Sequence, residues 1–193
     1  MNQDKVIRNK VIRKSDAVTK ALNKNQIKEV WYVAGQWGPE AYSWPADEFE
    51  EFRKVCDRKR AKFLKECSDP IELHLFYTLW NPDDGFEIQK IIKNPNCDAG
   101  TALRVYWEHE PYFYRRYGAI KDADPVYRES YRLIRSIETK FKKDEFSSKD
   151  IPFDPTPWIR SDDGFEEEDD LEDGFGPKKK IRVIPKQMFE KIA

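Results

Sequence analysis

The chain has 193 residues, of which 37% are charged, a mean hydropathy of −0.87 and a formal net charge of −1. This length suffices for a hydrophobic core, and no apolar window approaches the length of a membrane span. The sequence has three cysteines, Cys56, Cys67 and Cys97. An odd number without C-x-x-C spacing argues against a disulfide framework and a zinc knuckle. The N-terminus has no apolar stretch typical of a signal peptide. We therefore expect a cytoplasmic protein.

Charge is distributed unevenly along the chain. Residues 1–28 hold eight Lys or Arg against two Asp, whereas residues 144–177 hold thirteen Asp or Glu against two basic residues. The basic residues 5–14 contain two Val-Ile pairs, and residues 180–184 have a similar composition. Because β-branched residues favour strands, a short β-ribbon that pairs the two ends is one arrangement the pattern allows.

Two helices are predicted before residue 68. The first is capped by Ser15 or Asp16 and runs to about Trp37, with a break considered at Asn23-Lys24-Asn25. The second covers about residues 46–67, with acids in its first turns and bases later, as the helix dipole favours. We interpret its basic residues 58–62 as a solvated face rather than a phosphate site.

The central stretch, residues 73–107, contains three apolar segments separated by two turn clusters. Residues 71–80 leave almost no polar face, which indicates a helix covered on several sides. Asn81-Pro82 is expected to end this helix, Asp83 or Asp84 to cap the next, and Gly85 to turn the backbone before Phe86. Asn94-Pro95 then repeats the stop signal. Asp98 lies three residues before Thr101 and is placed to cap the helix that follows.

These turn clusters also carry a family resemblance. Asp83-Asp84-Gly85-Phe86-Glu87, Asn94-Pro95-Asn96-Cys97-Asp98 and Gly100-Thr101-Ala102-Leu103 resemble a bacterial family known as domain of unknown function 4274, over about residues 69–107. The resemblance implies an immunity protein whose gene lies beside a polymorphic toxin gene. It implies no established catalytic residues.

After the central stretch, we predict a helix break at Pro111 and an aromatic and basic turn over residues 112–117. A long helix is predicted after Asp124-Pro125. The apolar face of that helix is expected to comprise Val126, Tyr127, Ser130, Leu133, Ile134, Ile137 and Phe141. The fold class is therefore mainly α, with antiparallel helical hairpins in one compact bundle-like domain at residues 1–143. Residues 144–193 are predicted to form an irregular, acidic, proline-containing segment that ends in a strand or helix.

Catalytic motifs are absent from the sequence, and no catalytic, cofactor-binding or metal residue is predicted. His74 and His109 are interpreted as structural. Asp83, Asp84 and Asp98 are candidates for a metal site or an acid and base pair, but helix capping explains their positions more simply. We therefore treat a motif set as structural: Asp83, Asp84, Gly85, Phe86, Asp98, Gly100 and Thr101.

The candidate partner-binding segment is an acidic run with nine acids among residues 162–173, preceded by Trp158. Such a run is suited to a basic groove, where carboxylates take the place of phosphates; the alternative is a solvated segment that only keeps the protein soluble. The partner-binding residues are predicted to be Trp158, Asp162, Asp163, Phe165, Glu166, Glu167, Glu168, Asp169, Asp170, Glu172 and Asp173.

The family resemblance implies, and the acidic run is compatible with, a non-enzymatic cytoplasmic immunity protein that binds a cognate toxin and occludes its active surface. We expect neither a nucleic acid nor a membrane as partner, and no cofactor. The alternatives are a hydrolase-like enzyme that uses Asp83, Asp84 and Asp98, and a general protein-binding adaptor. If the acidic run is not the interface, the loop at residues 37–44 and the turn at residues 112–117 are the next candidates.

Overall fold

The computed structural model describes residues 17–35, 45–79, 85–159 and 182–193. The α-helices in these ranges are α1 (Lys24–Val33), α2 (Ala46–Glu66), α3 (Pro70–Leu79), α4 (Gly85–Lys93), α5 (Ala99–Glu108), α6 (Pro111–Tyr114) and α7 (Arg128–Lys143). Short 3-10 turns cover Ala17–Ala21, Ile120–Asp122, Pro125–Tyr127, Thr156–Trp158 and Lys186–Phe189. Among the described residues, strand pairing is limited to one antiparallel bridge, between Phe153 and Ile192. The mainly helical prediction is confirmed.

The chain divides into two compact units, Met1–Asp98 and Ala99–Ala193. The sequence predicts a boundary at residue 143 instead, but the described residues on both sides of that position lie in the second unit. Ile151, Ile184 and Met188 are buried there, so the described parts of residues 144–193 are irregular yet contribute to a core.

The N-terminal helical region is interrupted, as the Asn23-Lys24-Asn25 signal indicates. A 3-10 turn precedes α1, and Asn23 forms a capping box with Gln26: its Oδ1 accepts the Gln26 N–H at 3.1 Å, while Gln26 Oε1 accepts the Asn23 N–H at 3.0 Å. The alternative caps Ser15 and Asp16, and the predicted end at Trp37, lie outside the described residues.

The first unit is organised around α3, whose residues 73–77 are all buried. α3 contacts α1 and α4, and α2 contacts the same two helices. Gln26 ties α1 to α3, because its Nε2 donates to Asp69 Oδ2 at 3.2 Å and to Glu72 Oε1 at 2.8 Å. The prediction of a helix covered on several sides is confirmed.

The basic residues of α2 do not all lie on a solvated face, and here the prediction is wrong for Arg60. Its side chain is buried, with Nε donating to the Val33 carbonyl at 3.0 Å and Nη1 pairing with Asp57 at 3.0 Å. The end of α1 offers backbone carbonyls without intrahelical partners, and a guanidinium can satisfy one of them.

Asn94 joins α4 to the end of α2. Its Nδ2 donates to the carbonyls of Leu64 (2.9 Å) and Cys67 (3.1 Å), and its Oδ1 accepts the Asn96 N–H at 2.7 Å. Asn96 donates to the Cys67 carbonyl as well, at 3.2 Å. The Asn94-Pro95-Asn96 motif thus does more than stop α4, because it also satisfies carbonyls at the C-terminus of α2.

In the second unit, α7 contacts α5, α6 and the 3-10 turns at residues 120–122, 125–127 and 186–189. Leu133, Ile134 and Ile137 are fully buried, as predicted. The predicted face is wrong at its start, where Val126 is 72% and Tyr127 38% exposed. Asp124 caps a 3-10 turn there, accepting the Val126 N–H at 3.1 Å, so these two residues precede α7 and do not share its period.

The predicted pairing of the chain ends involves residues 5–14, which lie outside the described residues. The described residues 182–184 form no strand. Arg182 instead pairs with Arg115: its N–H donates to the Arg115 carbonyl at 3.0 Å, and Arg115 Nε donates to the Arg182 carbonyl at 2.8 Å.

None of the helices in the described ranges has the length and apolar character needed to cross a membrane.

We predict that Asn94→Ala lowers the free energy of unfolding by about 1–3 kcal/mol, because the Leu64 carbonyl loses its side-chain donor and the Cys67 carbonyl keeps only Asn96. Asn25→Ala, an exposed position at the start of α1, is the control and should change it by less than about 0.5 kcal/mol. Urea denaturation followed by circular dichroism measures both. Equal stability of the two variants would contradict the role assigned to Asn94.

Candidate functional site

Trp158 lies in a short C-terminal substructure of the second unit. Phe153 and Ile192 exchange two backbone hydrogen bonds, of 2.9 and 3.0 Å. Asp154 pairs with Lys191 at 2.7 Å and accepts the Thr156 N–H and hydroxyl at 3.0 and 2.6 Å. The hydrogen bonds from Lys191 and then Thr156 hold the pKa of the Asp154 carboxyl well below its usual range. This framework fixes the turn that carries Trp158.

The rings near this framework are partly exposed. Trp158 packs on Phe153, with ring centroids 5.1 Å apart, and is 39% exposed. Phe189, three residues before Ile192, is 37% exposed and packs on the Trp107 ring with centroids 5.6 Å apart. Since exposed rings at fixed positions are typical anchors in protein interfaces, Trp158 and Phe189 are the described residues best suited to contact a partner.

The acidic run lies outside the described residues, so the predicted contacts of Asp162, Asp163, Phe165, Glu166, Glu167, Glu168, Asp169, Asp170, Glu172 and Asp173 are not described. The positions on either side of residues 160–181 are described. Ile159 follows the Trp158 turn, and its N–H donates to the Thr156 carbonyl at 3.2 Å. At the other side, Arg182 is bound through both its backbone and its side chain, so the run lies between two fixed points of the second unit.

Arg182 is held by Glu138, a carboxylate only 1% exposed. Arg182 Nη1 lies 2.6 and 2.5 Å from the two Glu138 oxygens, and Arg135 Nη1 lies 2.5 Å from Oε2. Tyr106 donates its hydroxyl to Oε1 at 3.0 Å. Burial, and next the negative charge of Glu138, raise the pKa of Tyr106, which keeps that hydroxyl protonated as a donor. α5, α7 and the C-terminal segment therefore meet at one carboxylate.

The sequence analysis missed this network. A signal was present for Glu138, which follows Ile134 by four residues and precedes Phe141 by three, and so falls within the apolar stripe of its helix. A carboxylate in that position needs buried partners. Nothing in the local pattern identifies Arg182 as one of them, because 44 residues separate the two.

Three of the motif residues, Asp98, Gly100 and Thr101, lie in the interior. Asp98 and Thr101 are 0% exposed and Gly100 is buried, with α5 beginning directly after Asp98. Asp83 and Asp84 lie outside the described residues. Gly85 is the first residue of α4, and Phe86 follows it. This burial and the position of Asp98 favour a structural interpretation of the motif.

The histidines are both enclosed. His74 is 1% exposed within α3, and His109 is half-buried directly after α5. Burial lowers the pKa of His109 below its ordinary value, and the nearby carboxylates Glu108 and Glu110 oppose this effect only in part. Within the described ranges, no three His, Cys, Asp or Glu side chains are grouped so that they could hold a metal ion.

The described residues define a mainly helical protein with partly exposed rings at Trp158 and Phe189. Residues 68–142 match the family model described as Domain of unknown function (DUF4274). The resemblance predicted from residues 69–107 is confirmed, and the match continues through most of α7. No curated protein and no solved structure matches the chain.

We predict that Glu138→Ala lowers the free energy of unfolding by about 3–5 kcal/mol, because Arg182 is left buried without its counter-ion. Glu129→Ala is the control on the same helix, where the carboxylate is half-exposed and pairs with exposed Arg132. That change should cost less than about 1 kcal/mol. Denaturant unfolding would contradict the assigned role of Glu138 if both variants lost the same stability.

His109 gives a second prediction, on the pH dependence of stability. Because its pKa is lowered in the folded state, the unfolded chain binds a proton that the folded chain does not as the pH falls through about 6.5. His109 therefore makes the protein less stable below that pH. In the His109→Gln variant, the free energy of unfolding should fall less between pH 7.5 and 5.5 than in the parent protein. The part of the fall that comes from carboxylate titration should remain. An unchanged pH slope in urea denaturation would contradict this prediction.

Proposed function

We propose that the protein is an immunity protein, which binds a cognate bacterial toxin in the cytoplasm and blocks its active surface without catalysing a reaction. The observation that supports the proposal is the acidic run at residues 162–173, which follows the partly exposed Trp158 in the sequence. The family resemblance implies the same function.

The charge of the run suggests the chemistry of the partner. Nine acids in twelve positions produce a strong negative field, which favours a basic surface such as the substrate groove of a nuclease. Charge would mainly accelerate association, whereas rings buried in the complex would slow dissociation. The two contributions are therefore separable by kinetics.

An enzyme that uses Asp83, Asp84 and Asp98 is the alternative. The complete burial of Asp98 directly before α5 supports a structural role for that residue and weakens this alternative. An Asp98→Asn variant with unchanged stability is expected to protect cells from the toxin as well as the parent protein does. Loss of protection in that variant would favour the enzyme.

The kinetic prediction concerns binding of the cognate toxin that the proposal requires. Replacing five acids of the run by Ser or Asn should lower its association rate and flatten the salt dependence, because screening acts over about 8 Å at physiological ionic strength. Trp158→Ala and Phe165→Ala should instead raise the dissociation rate about tenfold or more, as loss of an interface anchor does. Surface plasmon resonance at several salt concentrations measures both. The acids replaced are Glu166, Glu167, Glu168, Asp169 and Asp170.

Matched controls separate these effects from general changes in charge or stability. Tyr127→Ala removes a ring of similar exposure, 38%, at a distant position in the sequence and should leave both rates unchanged. The charge control replaces five exposed acids of the first unit, namely Glu29, Glu48, Glu50, Glu51 and Glu66. If the variants of the run bound the toxin like these controls, the run would not be the interface.

A further inference from the structure

A groove of about 500 Å³ runs along α7 in the second unit. Three cationic side chains line it, Arg132, Arg135 and Lys140, whereas Glu145 is the acid among its lining residues. The described residues that line the groove all belong to the second unit, and neither Trp158 nor Phe189 is among them.

The charge of the groove is linked to the buried Glu138 network. Arg135 lines the groove and is also bound to Glu138, whose second guanidinium partner is Arg182. Two guanidinium groups around one carboxylate leave this network with an excess positive charge. Arg182 Nε and Nη2 are buried and have no hydrogen-bond partner among the described residues, so the excess charge is not offset by further acceptors there. Arg135, whose side chain is 40% exposed, carries part of this positive charge to the groove, where it attracts an anion.

The remaining lining residues indicate more than a bare ion. Tyr131 contributes a buried ring and Ile120 an aliphatic side chain, while Ser136 and Thr139 contribute hydroxyl groups. The apolar part of a ligand can pack against Tyr131 and Ile120, and the acidic group of the same ligand can interact with the cations and hydroxyls. Arg135 is held in place by Glu138, so part of the positive charge is pre-organised.

The other two cations have contacts of their own. Lys140 lies over the Phe146 ring, with Nζ 4.7 Å from its centroid. Arg132 pairs with Glu129, and both side chains are about half-exposed. An exposed ion pair such as Arg132–Glu129 contributes little and exchanges readily with another anion.

We infer that this groove binds a small organic anion, in which a carboxylate or phosphate group is attached to a flat apolar body. The inference is independent of toxin binding, because it rests on α7 and the Glu138 network alone. The groove is open, so affinity in the millimolar range is expected, as for a ligand with few buried atoms.

NMR titration of the full chain with phenyl phosphate, benzoate, inorganic phosphate and phenol tests the inference. Phenyl phosphate and benzoate should shift the amide signals of residues 131–140 in a saturable way. Inorganic phosphate and phenol should each bind about tenfold more weakly, because the first lacks apolar area and the second lacks charge. Absence of saturable shifts in these residues, or equal binding of phenol and phenyl phosphate, would overturn the inference.

Variants test the same site. Arg132→Gln combined with Lys140→Gln should weaken phenyl phosphate binding about tenfold, through loss of two cations. Lys142→Gln combined with Lys186→Gln removes the same charge from exposed positions outside the lining and should have no effect. Ser136→Phe should block the groove by filling it. Each variant is first checked for a native amide spectrum.

Two outcomes would replace the inference with another. If hexaglutamate shifted residues 131–140 while phenyl phosphate did not, the groove would be a surface for acidic peptides. If both pairs of charge variants weakened binding equally, the ligand would respond to net charge and not to the groove.

Discussion

The second unit depends on the environment of one carboxylate. Glu138 lies in the apolar stripe of α7, where an isolated charge would be strongly destabilising. Tyr106 from α5 and Arg182 from the C-terminal segment compensate it, and Arg135 completes the set at the edge of the groove. Removing one partner of such a network is costly, because it leaves a buried charge uncompensated. The network ties Arg182 of the C-terminal segment to α7.

The C-terminal segment gains further contacts from this arrangement. Trp107 Nε1 donates to the Met188 carbonyl at 2.8 Å, and Met188 itself is fully buried. Phe153 then pairs with Ile192 and supports the ring of Trp158. The C-terminal segment has few periodic apolar residues, yet it forms part of the core. Long-range polar contacts hold it where Met188 is buried.

The elements that could be predicted are those defined by neighbouring residues. The Asn23 break, the start of α2 after Pro45 and the stop at Asn94-Pro95 follow from local capping and proline effects. The contacts that could not be predicted join distant positions. Asn94 reaches the Leu64 carbonyl across 30 residues, and Arg60 reaches the Val33 carbonyl across 27. Both side chains satisfy helix C-termini, and sequence alone shows which groups need a partner but not which residue supplies it.

The same distinction applies to the candidate binding surface. Composition identifies the acidic run, but it does not place the run in the fold. The structure adds that any conformation of residues 160–181 in a complex must start at Ile159 and end at Arg182. Under the proposed function, the Glu138 network would act on partner binding through the position of Arg182, without itself contacting the partner.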